Sequence, residues 1–146
     1  DLQAAKTIFN EFVQHHVQYD STFEKVADAD QLWADYILES DTTKDDFKVL
    51  IADLDGQVVG FCLGYVAERP PIYKSQRIGM IGNIAVKQSH KRQGIGHLLF
   101  DEIKTWFKSQ DIALIETEVA ISNPQSMGFW SKVGGRSFIT RMEIKI

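Results

Sequence analysis

The chain has 146 residues, 44% of them apolar and 25% charged, the profile of one ordinary domain with a core of its own rather than a disordered or fibrous chain. Sixteen basic against twenty acidic residues leave a net charge of -4, which excludes the broad positive field that a nucleic-acid backbone needs. No apolar run approaches the roughly 20 residues that span a bilayer, so neither nucleic acid nor membrane is an expected partner.

At the start, Leu2, Ala5, Ile8, Phe9, Phe12 and Val13 recur at steps of three and four, which predicts a helix over residues 1 to 17 with one buried face. Asp1-Leu2-Gln3-Ala4 lacks the basic and apolar regions of a signal peptide. A helix already under way at a first residue other than methionine predicts native residues upstream. His15 and His16 are adjacent on this helix, point in different directions and make a poor metal pair. Leu32, Trp33, Tyr36 and Ile37 repeat the helical spacing after Asp28-Ala29-Asp30, whose carboxylates suit a helix N-terminus, so a second, shorter helix is expected.

From Phe47 the period falls to two. Phe47, Val49 and Ile51 alternate, Asp55-Gly56 follows, and the stretch from Val58 to Val66 is apolar, which together predict a β-hairpin. Cys62, the only cysteine, lies in that stretch and reads as core; a lone thiol makes a reducing, cytoplasmic setting the default. Pro70 and Pro71 cannot donate to a ladder, so a loop is expected from Glu68 to about Ser75. Ile78 to Val86 reads as a strand and Lys87 to Gln93 as a polar, basic turn. Ile95, Leu98, Leu99, Ile103, Trp106 and Phe107 then mark four turns of helix. A strand from Ile112 to Val119, a helix from Pro124 to Val133 capped by Asn123, and a last strand from Ser137 to Ile146 complete a single α/β domain over residues 1 to 146.

Lys91-Arg92-Gln93-Gly94-Ile95-Gly96 falls between a strand and a helix, where glycine lets the backbone approach a ligand and the helix N-terminus offers unpaired N–H groups to an anion. A P-loop would need four residues between its glycines and then Gly-Lys-Ser/Thr, which are not here. A dinucleotide fingerprint would need glycine where Leu99 stands. A glycine turn that only starts a helix stays open beside a pyrophosphate loop for coenzyme A.

The loop resembles the main motif of the GNAT N-acetyltransferases, Arg/Gln-x-x-Gly-x-Gly/Ala. Downstream, Asn123-x-x-Ser126-x-x-Phe129-Trp130-x-x-x-Gly134 is similar to that family's second motif, and upstream Ile84-Ala85-Val86 looks like its apolar strand end. The resemblance is close over residues 47 to 146 and only in outline before them. It departs at Lys91, where arginine or glutamine is usual, at Gly135, where an aromatic is usual, and at Trp130, where a tyrosine often serves as general acid.

The resemblance implies a GNAT fold: a mixed, mostly antiparallel sheet flanked by about four helices, splayed between the family's fourth and fifth strands, with the family's first strand missing ahead of Asp1. It implies acetyl-CoA as cosubstrate, held by Ile84, Ala85, Val86, Lys91, Arg92, Gln93, Gly94, Ile95, Gly96, His97, Asn123, Ser126, Phe129 and Trp130, with direct attack by a primary amine. Ser89-His90-Lys91-Arg92 would meet the cofactor's phosphates. The N–H of Ile84 or of its immediate neighbours would polarise the thioester carbonyl, and Glu118, with Glu116 on the same face by parity, is the candidate base. An indole donates but is no acid near neutral pH, so Ser131 or Tyr73 would protonate the thiolate, or it would leave without an acid. The family places the acceptor over Tyr19 to Tyr36 and Glu68 to Tyr73, whose acidic and aromatic residues suit a cationic amine. The other reading is a CoA-binding sensor with weak or no catalysis. A homodimer is left open.

Overall fold

The computed structural model describes residues 2–39 and 45–146. The expected helical residue Asp1 and the side chain of Leu2 lie outside what is described. The helices are α1 (Leu2–Val17), α2 (Ala29–Glu39), α3 (Ile95–Ser109) and α4 (Pro124–Lys132); the strands are β1 (Phe47–Leu54), β2 (Gln57–Glu68), β3 (Arg77–Val86) and β4 (Ile115–Thr117). They form one sheet in the order β1-β2-β3-β4. The first three strands are antiparallel, and β4 joins β3 in parallel after the chain has crossed over through α3. Among the described residues no helix is long and apolar enough to cross a membrane.

The hairpin forms at its predicted turn. Leu54 pairs with Gln57 around Asp55 and Gly56, both left-handed at φ 53° and 81°, and the Asp53 carboxylate accepts from the Gly56 N–H at 2.8 Å. The two faces of the sheet carry separate cores. On one, Ala5, Ile8, Phe9 and Val13 of α1 pack on Val58, Phe61 and Ala85, and Trp33 of α2 stacks on Phe9 with ring centroids 4.6 Å apart. On the other, Leu99, Phe100, Ile103 and Phe107 of α3 pack on Cys62 and Ile81. Phe107 lies so close to the sheet that a Cβ on Gly79 would sit 2.7 Å from its ring.

Four expectations are corrected. Leu32 and Tyr36 are exposed, and α2 instead buries Ala34 and Ile37 beside the anchored Trp33. Ile51 and Leu98 also face solvent. The strand expected over Ile112 to Val119 shortens to Ile115–Thr117, because the Ile112 N–H still closes the end of α3 on the Phe107 carbonyl and pairing with β3 stops at Thr117. The strand expected over Ser137 to Ile146 does not form. Alternation alone makes no strand without a ladder partner, and this segment meets the rest of the chain through side chains, Arg141 to Glu118 and Glu143 to Thr22, with Met142, Ile144 and Ile146 exposed.

Candidate active site

The central feature is a bulge in β3. Leu63 pairs with Asn83 but Gly64 pairs with Ile81, so Gly82 is an extra residue. Before it, Gly79 donates its N–H to Leu114 at 2.9 Å and Ile81 accepts from the Thr117 hydroxyl at 3.0 Å, so odd-numbered residues face β4. Beyond it, Lys87 donates to Val59 at 2.8 Å, so odd-numbered residues now face β2. The extra residue has inverted the alternation, and the backbone groups of Ile84 and Val86 turn toward the β4 side. There β4 has already ended, since its last pair with β3 is Ile81 with Thr117. The splay expected between these strands is therefore present, with two polar backbone positions aimed into it. Ala85 differs from its neighbours: its backbone faces β2 and its side chain is buried in the α1-side core.

Beside this opening stands the N-terminus of α3. Gly94 is its first flanking residue, left-handed at φ 84°, and no side chain caps the helix. A helix leaves its first N–H groups without an intrahelical acceptor, so those of Ile95, Gly96 and His97 are available to an anion, favoured by the helix dipole. Gly94 meets this requirement through conformation, since a Cβ there would meet nothing within 4 Å. Arg92, also at positive φ (62°), and Gln93 are exposed. Burial pulls the Lys91 ammonium below the usual lysine value, with the Glu11 carboxylate of α1 opposing that shift. The nearby His15 is lowered by burial first, then by Lys91 and His16.

The second motif packs on the first. The Asn123 side chain, 1% exposed, accepts from the Ser126 N–H at 3.1 Å and so caps α4, with Pro124 at the first helical position. Phe129 lies against Gly96, 3.3 Å from where a Cβ would be, and edge-on to His97 at 5.0 Å. Trp130 stands against Phe100 and Phe129, at 5.8 and 5.1 Å between ring centroids. Gly135 accounts for one departure from the motif. Its N–H bonds to the Trp130 carbonyl, while the N–H of left-handed Gly134 bonds to Ser131, and a Cβ on Gly135 would lie 2.8 Å from the Trp130 oxygen.

On the α1–α2 face a pocket of about 130 Å³ opens at the splay, lined by Tyr65, Met80, Ile81, Gly82 and Glu118. Glu118 is exposed and takes both guanidinium nitrogens of Arg141, at 2.5 and 3.2 Å. Glu116 pairs instead with Arg69 at 3.7 Å, whose guanidinium also covers the Tyr73 ring at 4.4 Å. Ser131 is exposed. Tyr65, Met80, Ile81 and Gly82 are the lining residues that sequence reasoning missed; a glycine inside an apolar strand was the available sign of a bulge. A larger pocket of about 330 Å³ lies between α1 and the segment Glu24 to Ala29, away from the splay and from α3. The smaller one brings Glu118 and Tyr65 together beside Ile81 and Gly82 at the bulge.

The profile described as Acetyltransferase (GNAT) family matches residues 9–135. A protein of Bacillus subtilis (strain 168), named provisionally as a ribosomal protein bS18-alanine N-acetyltransferase, is 28% identical over 85 residues, 58% of this chain and 51% of the relative. The chain spans about half or less of the length of the curated relatives it matches. Among solved structures, a mutant of the BH1408 protein from Bacillus halodurans aligns with a TM-score of 0.82 at 17% identity, covering 99% of this chain and 93% of that one. The aminoglycoside N-acetyltransferase AAC(6')-Iy in complex with CoA aligns at 0.72 and 16% identity, over 99% and 88%. At these identities the solved structures speak for the fold.

Proposed function

This chain belongs to the acetyltransferase (GNAT) family, and from that premise we propose that it transfers an acetyl group from acetyl-CoA to a primary amine by direct attack in a ternary complex. The observation that carries the reading is the Gly82 bulge, which turns the Ile84 and Val86 backbone into the splay beside the uncapped start of α3. These elements fit the cosubstrate: N–H groups of Ile95, Gly96 and His97 for a pyrophosphate, an open strand edge for an amide-bearing arm, and Lys91, Arg92 and Gln93 around them. When bound, acetyl-CoA supplies the activated acetyl group.

The Ile84 N–H donates to the oxygen on which negative charge develops, a preorganised contact of the kind worth about 2.7–4 kcal/mol. An alkylamine with pKa ~10.4 is neutral about one time in a thousand or less at pH 7, so a base has to take its proton. Glu118 is that base in this reading, directly or through water. Arg141 holds both its oxygens, so the amine reaches it by displacing the guanidinium, which an exposed pair worth about 0.2–1 kcal/mol allows. Tyr65 is the hydroxyl lining this pocket and takes the role of acid that Trp130 cannot fill. The pocket's size and its carboxylate suit the head of an aliphatic amine.

Thiol release from acetyl-CoA across a panel of small amines and peptides tests the reading. One class should give turnover well above hydrolysis. Glu118→Gln should lower that turnover at pH 7 at unchanged acetyl-CoA affinity and recover partly as pH rises. Tight CoA binding with no turnover on any amine favours the sensor reading, which the indole of Trp130 in place of a phenol supports.

A further inference from the structure

The turn that leads from β3 into the phosphate loop carries no cap of its own. Gln88–His90 form a single 3-10 turn, and the residue before it, Lys87, makes no side-chain bond to it. The Gln88 N–H goes instead to the Glu11 carboxylate of α1, at 3.0 Å and 77 residues away in sequence. Glu11 also acts electrostatically on Lys91, the first residue of the loop motif, while the Lys91 N–H bonds to the Gln88 carbonyl. One carboxylate from the acceptor-side helix thus reaches the start of the loop and faces its first motif residue. A bystander there would be out of place, because a negative charge close to a phosphate site repels the ligand.

We infer that Glu11 is a positioning residue for the cofactor, holding the 87–91 turn through its bond to the Gln88 N–H so that Gly94 to His97 present their N–H groups in register. This rests on the reading that the α3 N-terminus holds the pyrophosphate. It makes α1 a part of the CoA site, and it assigns a role to a residue outside both motifs.

Two substitutions separate the bond from the charge, and both residue types suit a helix interior. Glu11→Gln keeps the length and an acceptor oxygen; Glu11→Met keeps the length and loses the acceptor. CoA affinity is measured by calorimetry on parent and variants, with ligand-free melting as the check on folding. Positioning predicts that Glu11→Met binds CoA at least fivefold more weakly while Glu11→Gln stays within twofold of the parent or binds more tightly. A bystander carboxylate predicts that both variants bind as tightly as the parent or more so, and that result overturns the inference. Equal weakening of both also overturns it, since the bond would then be immaterial. A parent that does not bind CoA refutes the proposed function itself, a different outcome from a parent that binds and variants that do not differ.

Discussion

Gly96 stands at the second position of α3, inside the proposed phosphate site, yet its missing side chain would point into α4. A Cβ there would lie 3.3 Å from Cε2 of Phe129, 3.8 Å from its Cζ and 3.9 Å from Cγ2 of Val86. Alanine needs Phe129 to yield by a few tenths of an ångström and gains up to about 1 kcal/mol of helix propensity, so Gly96→Ala should be nearly neutral. Leucine brings three further carbons to space the ring already holds. Overpacking of this kind costs about 1–3 kcal/mol. At about 2–4 °C per kcal/mol for a chain of this length, Gly96→Leu should melt about 2–12 °C lower. It should also bind CoA more weakly, because α4 is pushed from the loop. Melting followed by circular dichroism, with CoA calorimetry on the same samples, reads both effects. Phe129→Ala in the Gly96→Leu background should return much of the lost stability, as a coupling between touching residues of about 0.5–3 kcal/mol. If Gly96→Leu keeps the parent's melting temperature and abolishes CoA binding, the side chain meets the ligand and not Phe129, and the placement of α4 is refuted.

Gly79→Ala should cost more than about 2 kcal/mol in urea unfolding, since its Cβ would press 2.7 Å from the ring of fully buried Phe107; Gly128→Ala, with nothing within 4 Å in the middle of α4, should stabilise by about 0.4–1 kcal/mol. Similar effects of the two substitutions would contradict the docking of α3 on the sheet. Trp130→Phe should keep turnover near the parent's, whereas Trp130→Ala should lose stability toward the low end of about 3–5 kcal/mol, because the ring is only half-buried. A large rise in turnover in Trp130→Tyr would show that Tyr65 does not supply the proton. Burial pushes the Cys62 thiol up to about 12. Its contribution to stability is complete below the unfolded value of about 8.5 and falls above it by about 1.4 kcal/mol per pH unit until the folded group ionises. The parent's urea midpoint should therefore drop more steeply than that of Cys62→Ala between pH 9 and about 11, and parallel profiles would refute a buried neutral thiol.

The elements that were legible in the sequence are those whose signal is local. The spacing of Ala5, Ile8, Phe9 and Val13, the Asp55-Gly56 turn, and Asn123 with Pro124 each carry their own geometry, and each forms as expected. The glycine turn ahead of α3 was legible for the same reason, since a glycine at positive φ and a helix start lie within a few residues. What could not be read depends on partners distant in sequence. Whether Leu32 or Ala34 turns inward is decided by Phe9 and Phe61, which hold Trp33 from other elements. Whether residues 137–146 become a strand depends on an edge that β4 offers over only three residues. The bulge at Gly82 is a matter of register, set by the pairing of β2 with β3, and it leaves Gly82 beside the Tyr65 ring, 3.6 Å from where a Cβ would be. Gly135 looked like a departure from the motif and is a requirement of the turn after α4.

Titration of CoA into the nitrogen-15-labelled protein, followed amide by amide, reads directly where the cofactor lies. The largest shifts should fall on Ile84 and Val86 in β3 and on Ile95, Gly96 and His97 at the start of α3, with saturation at one CoA per chain. Shifts centred on the pocket beside Glu24 to Ala29, or none at saturating CoA, would contradict it.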